Sequence, residues 1–379
     1  MIKKVFPILA LSMFSSMLGV GIVVPLLPIY ADNLGATGIW LGIIFAAYHV
    51  SNTIFTPIAG RLSDHRGRKL FLVIGLLSYS IISLGYVWAG NVPQLSLVRL
   101  LQGVAGAMVI PIAQAYVGDI SPKGEEGKWM GYANAAFFSG FGFGPIIGGV
   151  LTEHFGMNTA FYSMAGLTLL AFLIAILFLP EVIQRKTEGS RRLSFKKISQ
   201  SSMVRGIFSI RLTQALGRGG LMTFLPIFAG IYLDLSTTLI GILVAINVLS
   251  MSLLAPLGGR IADRFSRRAL TVLGNIIFLG SLAVIPLAHN FWQLLVVCLA
   301  QGFGGAISIP AATALVVEEG RKYGMGSTIA VFAMAMSLGM TIGPILAGAM
   351  ADLVDVNSVF YSGAAIGLIG TSLFIWFTR

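Results

Sequence analysis

Gly60-Arg61-Leu62-Ser63-Asp64 recurs as Gly259-Arg260-Ile261-Ala262-Asp263, 199 residues further on (259 minus 60). Other pairs keep the same spacing: Gln102-Gly103 with Gln301-Gly302, Pro111 with Pro310, Asp119 with Glu318, and Gly144-Pro145 with Gly343-Pro344. One offset held across a loop and several apolar stretches marks an internal duplication. The repeat divides the chain into residues 1–180 and 204–379, joined by a polar, basic stretch at 181–203. Within that stretch Leu193, Phe195 and Ile198 alternate with Arg192, Lys196 and Lys197, as in either a short helix lying on anionic lipid or a solvated linker.

The residues between the repeated motifs set the solvent. Of 379 residues, 56% are hydrophobic and 10% charged, with a mean hydropathy of +0.89. Soluble domains carry about 25% charged residues, so this chain lacks the surface of a cytosolic enzyme. The lone Cys298 excludes an internal disulfide. A bilayer core of about 30 Å needs about 20 apolar residues per helix. Twelve stretches meet that length, near 5–30, 38–60, 70–89, 93–117, 129–151, 158–180, 204–231, 237–259, 269–288, 291–316, 325–350 and 357–378. The expected fold is an all-α membrane protein with 12 transmembrane helices in two six-helix pseudo-symmetric halves.

The formal net charge of +11 suggests nucleic acid in a soluble protein, but here it has a simpler origin. With both termini in the cytoplasm, 22 of the 25 Lys and Arg residues fall on cytoplasmic segments, including Lys3, Lys4, Arg61, Arg66, Arg68 and Lys69. The outer loops hold no Lys or Arg, although they carry Asp32, Glu153, Asp234, Asp352 and Asp355. That partition follows the positive-inside rule. It predicts a multi-pass protein of the cell (inner) membrane with no nucleic-acid partner.

Three further motifs accompany the first. Arg99-Leu100-Leu101-Gln102-Gly103 lies in the fourth span, Leu18-Gly19 precedes Pro25-Leu26-Leu27-Pro28 in the first, and Gly140-Phe141-Gly142-Phe143-Gly144-Pro145-Ile146-Ile147-Gly148-Gly149 fills the fifth. With Gly60 to Lys69, these motifs resemble the major facilitator superfamily, and within it the twelve-helix drug:proton antiporters that include tetracycline exporters. The resemblance covers essentially the whole chain. It implies a secondary transporter working by alternating access, a proton gradient as driving force and no cofactor. It also implies a proton-coupling role at Arg99 and an exporter signature in Gly140, Gly144, Pro145, Gly148 and Gly149. Independently of any family, glycines four apart let helices approach closely and a proline permits a kink. Gly60, Asp64, Arg68 and Asp119, repeated as Asp263, Arg267 and Glu318, suit a cytoplasmic gate of paired charges, or merely topology charges and caps.

Arg99, Arg211 and Arg218 fall within spans, where an unpaired charge costs about 2.5–3.5 kcal/mol on insertion scales and ordinarily faces a cavity or partner. Arg211 is near enough to the surface to snorkel. Arg218 is central, and the repeat counterpart of Arg99 is Cys298. The other candidates for the cavity and for coupling are His49, Asn52, Gln102, Asn134, Gln214 and Asn247. No carboxylate lies mid-span, so coupling falls to Asp32, Asp119 or His49, and a positive cavity would prefer anionic or neutral cargo. The expected partners are an amphipathic or anionic small molecule and membrane lipids, for a monomer that is not an enzyme. No His-x-x-x-His pair or Walker-type loop is present in the sequence. The alternatives are a carrier or flippase for an anionic metabolite or lipid, and a non-transporting receptor.

The charge partition makes a direct prediction. In a Cys298→Ala background, a Thr187→Cys variant should react with a membrane-impermeant maleimide only after the cells are opened, and a Val354→Cys variant in intact cells. The opposite pattern would overturn the orientation.

Overall fold

The computed structural model describes residues 2–122, 125–181, 201–323 and 325–379. Residues 182–200, including Leu193, Phe195 and Ile198, lie outside the described residues, as does Lys123. The described residues form thirteen α-helices and no strand. They are α1 (Ile2–Asn33), α2 (Gly38–Arg66), α3 (Arg68–Trp88), α4 (Val92–Ala107), α5 (Ile110–Ile120), α6 (Glu126–Phe155) and α7 (Met157–Phe178). The remainder are α8 (Ser202–Ile227), α9 (Thr237–Arg264), α10 (Arg267–Val284), α11 (Phe291–Tyr323), α12 (Met325–Leu353) and α13 (Val356–Phe377). With α4 and α5 in tandem, they provide twelve helical segments long and apolar enough to cross a membrane.

Local chemistry sets the helix ends. Asn91 Oδ1 accepts from Gln94 N–H at 3.0 Å while Gln94 Oε1 accepts from Gly90 N–H at 2.8 Å, a reciprocal cap at the start of α4. Asn290 and Gln293 repeat it at α11 with 3.0 and 2.7 Å. The fourth crossing breaks after Ala107, where Met108 and Val109 make short turns back to Ala105 and Gly106. Pro111 has no N–H for the carbonyl four residues earlier, which is Ala107. Pro310, its repeat counterpart, stays inside a continuous α11. The seventh crossing ends in a π-turn, Phe228–Tyr232, after Pro226.

The helices divide into two compact units. The first comprises Met1–Ala36, Ile43–Thr187 and Leu235–Ala245; the second comprises Thr37–Gly42, Glu188–Asp234 and Ile246–Arg379. Each unit therefore takes the first turns of one helix, α2 or α9, whose remainder lies in the other. Apolar burial discriminates little between helices in lipid, so packing rests on close backbone approach. In the first unit α6 lies on α1, and a Cβ at Gly144 would stand 2.6 Å from the Leu18 carbonyl oxygen and one at Gly148 2.7 Å from that of Ile22. Gly140 meets the Phe14 carbonyl in the same way. The second unit packs α12 on α8, with Gly339 and Gly343 against the carbonyls of Leu212 and Leu216. The most apolar 18-residue stretch of the crossing that contains α8 is the least hydropathic of the twelve such stretches, at 1.2, and the most buried, at 72%.

These contacts separate two kinds of helical glycine. A Cβ added to Gly166, on α7, would meet nothing within 4 Å. Gly166→Ala should therefore leave the melting temperature unchanged or raise it, because alanine favours the helix by up to about 1 kcal/mol. Gly144→Ala should lower it, at a cost of about 1–3 kcal/mol from overpacking on a backbone oxygen. Thermal melting of the detergent-purified protein reads both, and equal melting temperatures would refute the packing account.

Candidate functional site

The first unit buries a polar group around Arg99, which is 2% exposed. The guanidinium donates to Gln102 Oε1 at 3.1 Å. Its Cζ stands 4.7 Å from the Tyr48 ring centroid and 5.4 Å from that of Phe45, both on α2. Tyr86 of α3 also donates to Gln102 Oε1, at 2.6 Å, and Gln102 Nε2 reaches the Met164 sulfur of α7 at 3.7 Å. Arg99 is thus held by one amide oxygen and two aromatic faces. The close approach of α2 to α4 at Gly103 and Gly106 builds this group, because the Tyr48 carbonyl and hydroxyl occupy the space of their missing side chains. Asn52 donates to the Gly103 carbonyl at 3.2 Å. His49 is half-buried and sets its ring edge-to-face with Tyr48 at 5.4 Å.

The remaining polar candidates form separate groups. Asn134 is exposed and accepts from Gln114 Nε2 at 3.5 Å. Asn247 is buried in the second unit and donates to Gln301 Oε1 at 2.9 Å. The 199-residue repeat equates Asn247 with Tyr48, Cys298 with Arg99 and Gln301 with Gln102. The second unit therefore keeps the glutamine and replaces its cationic and aromatic neighbours with neutral, small ones. Gln214 accepts from Arg211 Nη1 at 3.2 Å, and Arg218 Nη2 approaches Met251 Sδ at 3.3 Å.

On the basic side each unit ties its helix ends with an ion pair. Arg68, 7% exposed, reaches Asp64 Oδ1 at 2.5 Å, Asp119 Oδ2 at 2.9 Å and Ser63 Oγ at 2.8 Å, joining α2, α3 and α5. Gly67, at φ +99°, makes the turn that delivers Arg68, and Glu181 packs where a Cβ would lie. In the second unit Arg267 pairs with Glu318 and lies 3.8 Å from Asp263. Ala262 replaces Ser63, leaving only a backbone acceptor at 3.4 Å, and Ser266 replaces Gly67 with an ordinary N-cap. The side chain of Arg267 is 31% exposed, against 8% for Arg68. A Cβ added at Gly60 would meet nothing within 4 Å.

The opposite side carries a second pair of ties that the charge count treats only as outer acids. Asp352, at the end of α12, accepts from Gly38 N–H at 2.6 Å and Ile39 N–H at 2.8 Å, capping α2 with both carboxylate oxygens. Glu153, at the end of α6, accepts from Thr238 N–H of α9 at 3.1 Å. The two acids are 199 residues apart, as are Ile39 and Thr238. Glycines hold both junctions close: Gly348 against the Gly38 carbonyl and Gly149 against that of Thr237. Gly149 therefore serves the α9 junction, while Gly140, Gly144 and Gly148 serve α1, and Pro145 presses its carbonyl toward Gly241 of α9. The repeat offset alone contained the signal for Glu153 and Asp352.

Comparison with known proteins adds the lineage. A model of the Major Facilitator Superfamily matches residues 9–213 and 207–379. The quinolone resistance protein NorA of Staphylococcus aureus (strain MRSA252) is 28% identical over 377 residues, covering 97% of this chain and 95% of that protein. An uncharacterised MFS-type transporter of Methanocaldococcus jannaschii is also 28% identical, over 375 residues, covering 97% and 96%. A solved bacterial homolog of the human lysosomal transporter Spinster, inward-facing and occupied, shares the fold with a TM-score of 0.84 at 15% identity, covering 100% of this chain and 97% of that one. With the family matched from residue 9 to residue 379, and with twelve helical spans and repeated motifs consistent with it, the chain belongs to the Major Facilitator Superfamily of multi-pass membrane transporters.

Proposed function

We propose that this protein is a secondary active transporter of the cell membrane that exports amphipathic small molecules by alternating access, as a monomer without a cofactor and driven by the proton gradient. The observation that carries this reading is the set of repeated helix-end ties: two ion-pair clusters on the basic side and two acid caps on the other. Each acid caps a helix of the opposite sequence repeat, so its bonds are ones that break when that side opens. The likeness over nearly the whole chain to a quinolone resistance protein supports the direction of transport. One proton moving down 100 mV supplies about 2.3 kcal/mol, enough for about fiftyfold accumulation.

The proton carrier follows from what the spans hold. The described Asp and Glu residues lie at helix ends or in loops, so coupling falls to end carboxylates that change partners rather than to a mid-span acid. A carboxylate at a helix N-terminus contributes about 0.3–1 kcal/mol when exposed, and protonation removes most of it. A second reading, carriage of an anionic metabolite or lipid, draws support from Arg211 and Arg218 of α8, which have no acidic partner among the described residues.

Inverted membrane vesicles with an acidic interior should accumulate a quinolone and lose it on adding a protonophore. Accumulation that survives collapse of the gradient would overturn proton coupling. The Glu153→Gln, Asp352→Asn double variant should lower that rate at least about fivefold and speed hydrogen exchange at Gly38, Ile39 and Thr238. Unchanged exchange would remove the caps from the gate. The ion pairs should be unequal: Arg68→Ala should cost about 3 kcal/mol of stability, as for a buried pair, and Arg267→Ala less than about 1 kcal/mol. Equal losses on thermal melting would contradict the burial difference.

A further inference from the structure

The second unit holds two guanidiniums, Arg211 and Arg218, with no acidic partner among the described residues. Arg211 and Arg218 lie seven residues apart on α8 with Gln214 between them, on one helical face. Arg211 donates to Gln214 Oε1 at 3.2 Å, approaches Met336 Sδ at 3.0 Å and lies 4.8 Å from the centroid of the Phe332 ring. Arg218 has Met251 Sδ at 3.3 Å and the Phe278 centroid at 5.9 Å. These acceptors are thioether sulfurs, one amide oxygen and aromatic faces, all weak or neutral. Three donors in the group have no acceptor among the described residues: Nε of Arg211, Nε of Arg218 and Nε2 of Gln214, the last on a residue only 5% exposed.

Two comparisons within the molecule argue against a merely architectural role. Arg99, the other intramembrane arginine, also leaves its Nε without an acceptor among the described residues, but unlike Arg218 it has a hydrogen-bonded glutamine and two aromatic faces, at 4.7 and 5.4 Å. On α1, the backbone contacts of Leu18 and Phe14 match those of Leu216 and Leu212 on α8, 198 residues apart (216 minus 18). By that register Met13, Ser16 and Val20 stand where Arg211, Gln214 and Arg218 do, and the equivalent packing is made without charge. The donors of α8 face a narrow cleft lined by Arg211, Gln214, Ala215, Arg218, Met336 and Met340. Its free space of about 10 Å³ is that of about one water, so a head group would enter by displacing the flexible Met336 and Met340 side chains that line it. A guanidinium fork matches the paired oxygens of a carboxylate or phosphate.

We propose that Arg211, Gln214 and Arg218 form a receptor for the oxyanion head of an amphipathic acid, carboxylate or phosphate ester, whose tail stays outside the cleft. The acid is either cargo, which rests on the transporter reading above, or a resident anionic lipid, which does not.

The test uses the purified full-length protein in dodecyl maltoside, with decanoate, decyl phosphate and decyltrimethylammonium as probes in calorimetric titrations. Both acids should bind at least about tenfold more tightly than the ammonium, and Arg218→Gln should weaken them at least about tenfold. Equal binding of acid and ammonium, or unchanged acid affinity in Arg218→Gln, overturns the proposal. Gln214→Glu guards against a variant that fails to fold, because it supplies the missing anion from within. It should raise the melting temperature and abolish decyl phosphate binding; a lower melting temperature with wild-type affinity overturns the site. Native mass spectrometry for phosphatidylglycerol displaced by decyl phosphate identifies a resident lipid. Movement of labelled decyl phosphate into proteoliposomes, lost in Gln214→Glu, identifies cargo. Loss of acid binding while a cationic dye is still transported defeats the site alone, whereas acid binding without transport of any probe defeats the transporter reading alone.

Discussion

Backbone touching backbone is the contact on which this structure depends. Lipid gives apolar side chains little reason to choose a neighbouring helix over the bilayer, so helices must gain contact by coming closer than side chains allow. Gly140, Gly144 and Gly148 bring α6 onto the carbonyls of Phe14, Leu18 and Ile22, and Gly339 and Gly343 bring α12 onto α8 in the same way. One residue beyond Gly148, Gly149 turns the same helix toward Thr237, and Gly348 does so toward Gly38. The row of glycines thus sets both the core of each unit and the place where its acid cap can reach. Asp352 and Glu153 cap their helices because the glycines have already brought the helix ends within hydrogen-bonding range.

Most of this architecture is legible in the residues themselves. Spacing yields the duplication, apolar length yields the crossings, and glycine intervals identify the packing faces. What escapes is anything decided by a partner far along the chain. Asp352 is 314 residues from Gly38, and its place in the charge count carries no hint that it caps a helix. Arg99 invites a search for a carboxylate, whereas its partners are an amide and two rings, residue types too common in apolar helices to signal the role. Met251 and Met336 escape for the same reason. The break at Met108 is different, because Pro111 and Pro310 sit at equivalent positions and only one interrupts its crossing. Proline removes the same hydrogen bond in each, and the surrounding packing decides whether the helix closes around the gap or turns.

The two repeats have diverged where charge is handled and stayed alike where helices meet. Gly144 and Gly343, Gly149 and Gly348, and Gln102 and Gln301 all persist. Around Arg68 a serine, a left-handed glycine and a sheltered carboxylate make a buried tie, while Arg267 keeps the pairing without the shelter. The intramembrane cations follow the opposite course. The first unit gives Arg99 an amide oxygen and two aromatic faces, and the second places Arg211 and Arg218 on a helix whose neighbours supply mainly sulfur and aromatic carbon.

That loading of α8 bears on how the protein is made. The most apolar 18-residue stretch of the α8 crossing is the least hydropathic and the most buried of the twelve, and the crossing carries Arg211 and Arg218. Each of those arginines opposes entry into lipid by about 2.5–3.5 kcal/mol. The helices that cover α8 most fully are α12 and α13, which leave the ribosome last. For the whole interval in which residues 233–324 are being synthesised, the seventh crossing lacks the surfaces it is built to face. The shelter of α8 is therefore complete only once α12 and α13 are in place.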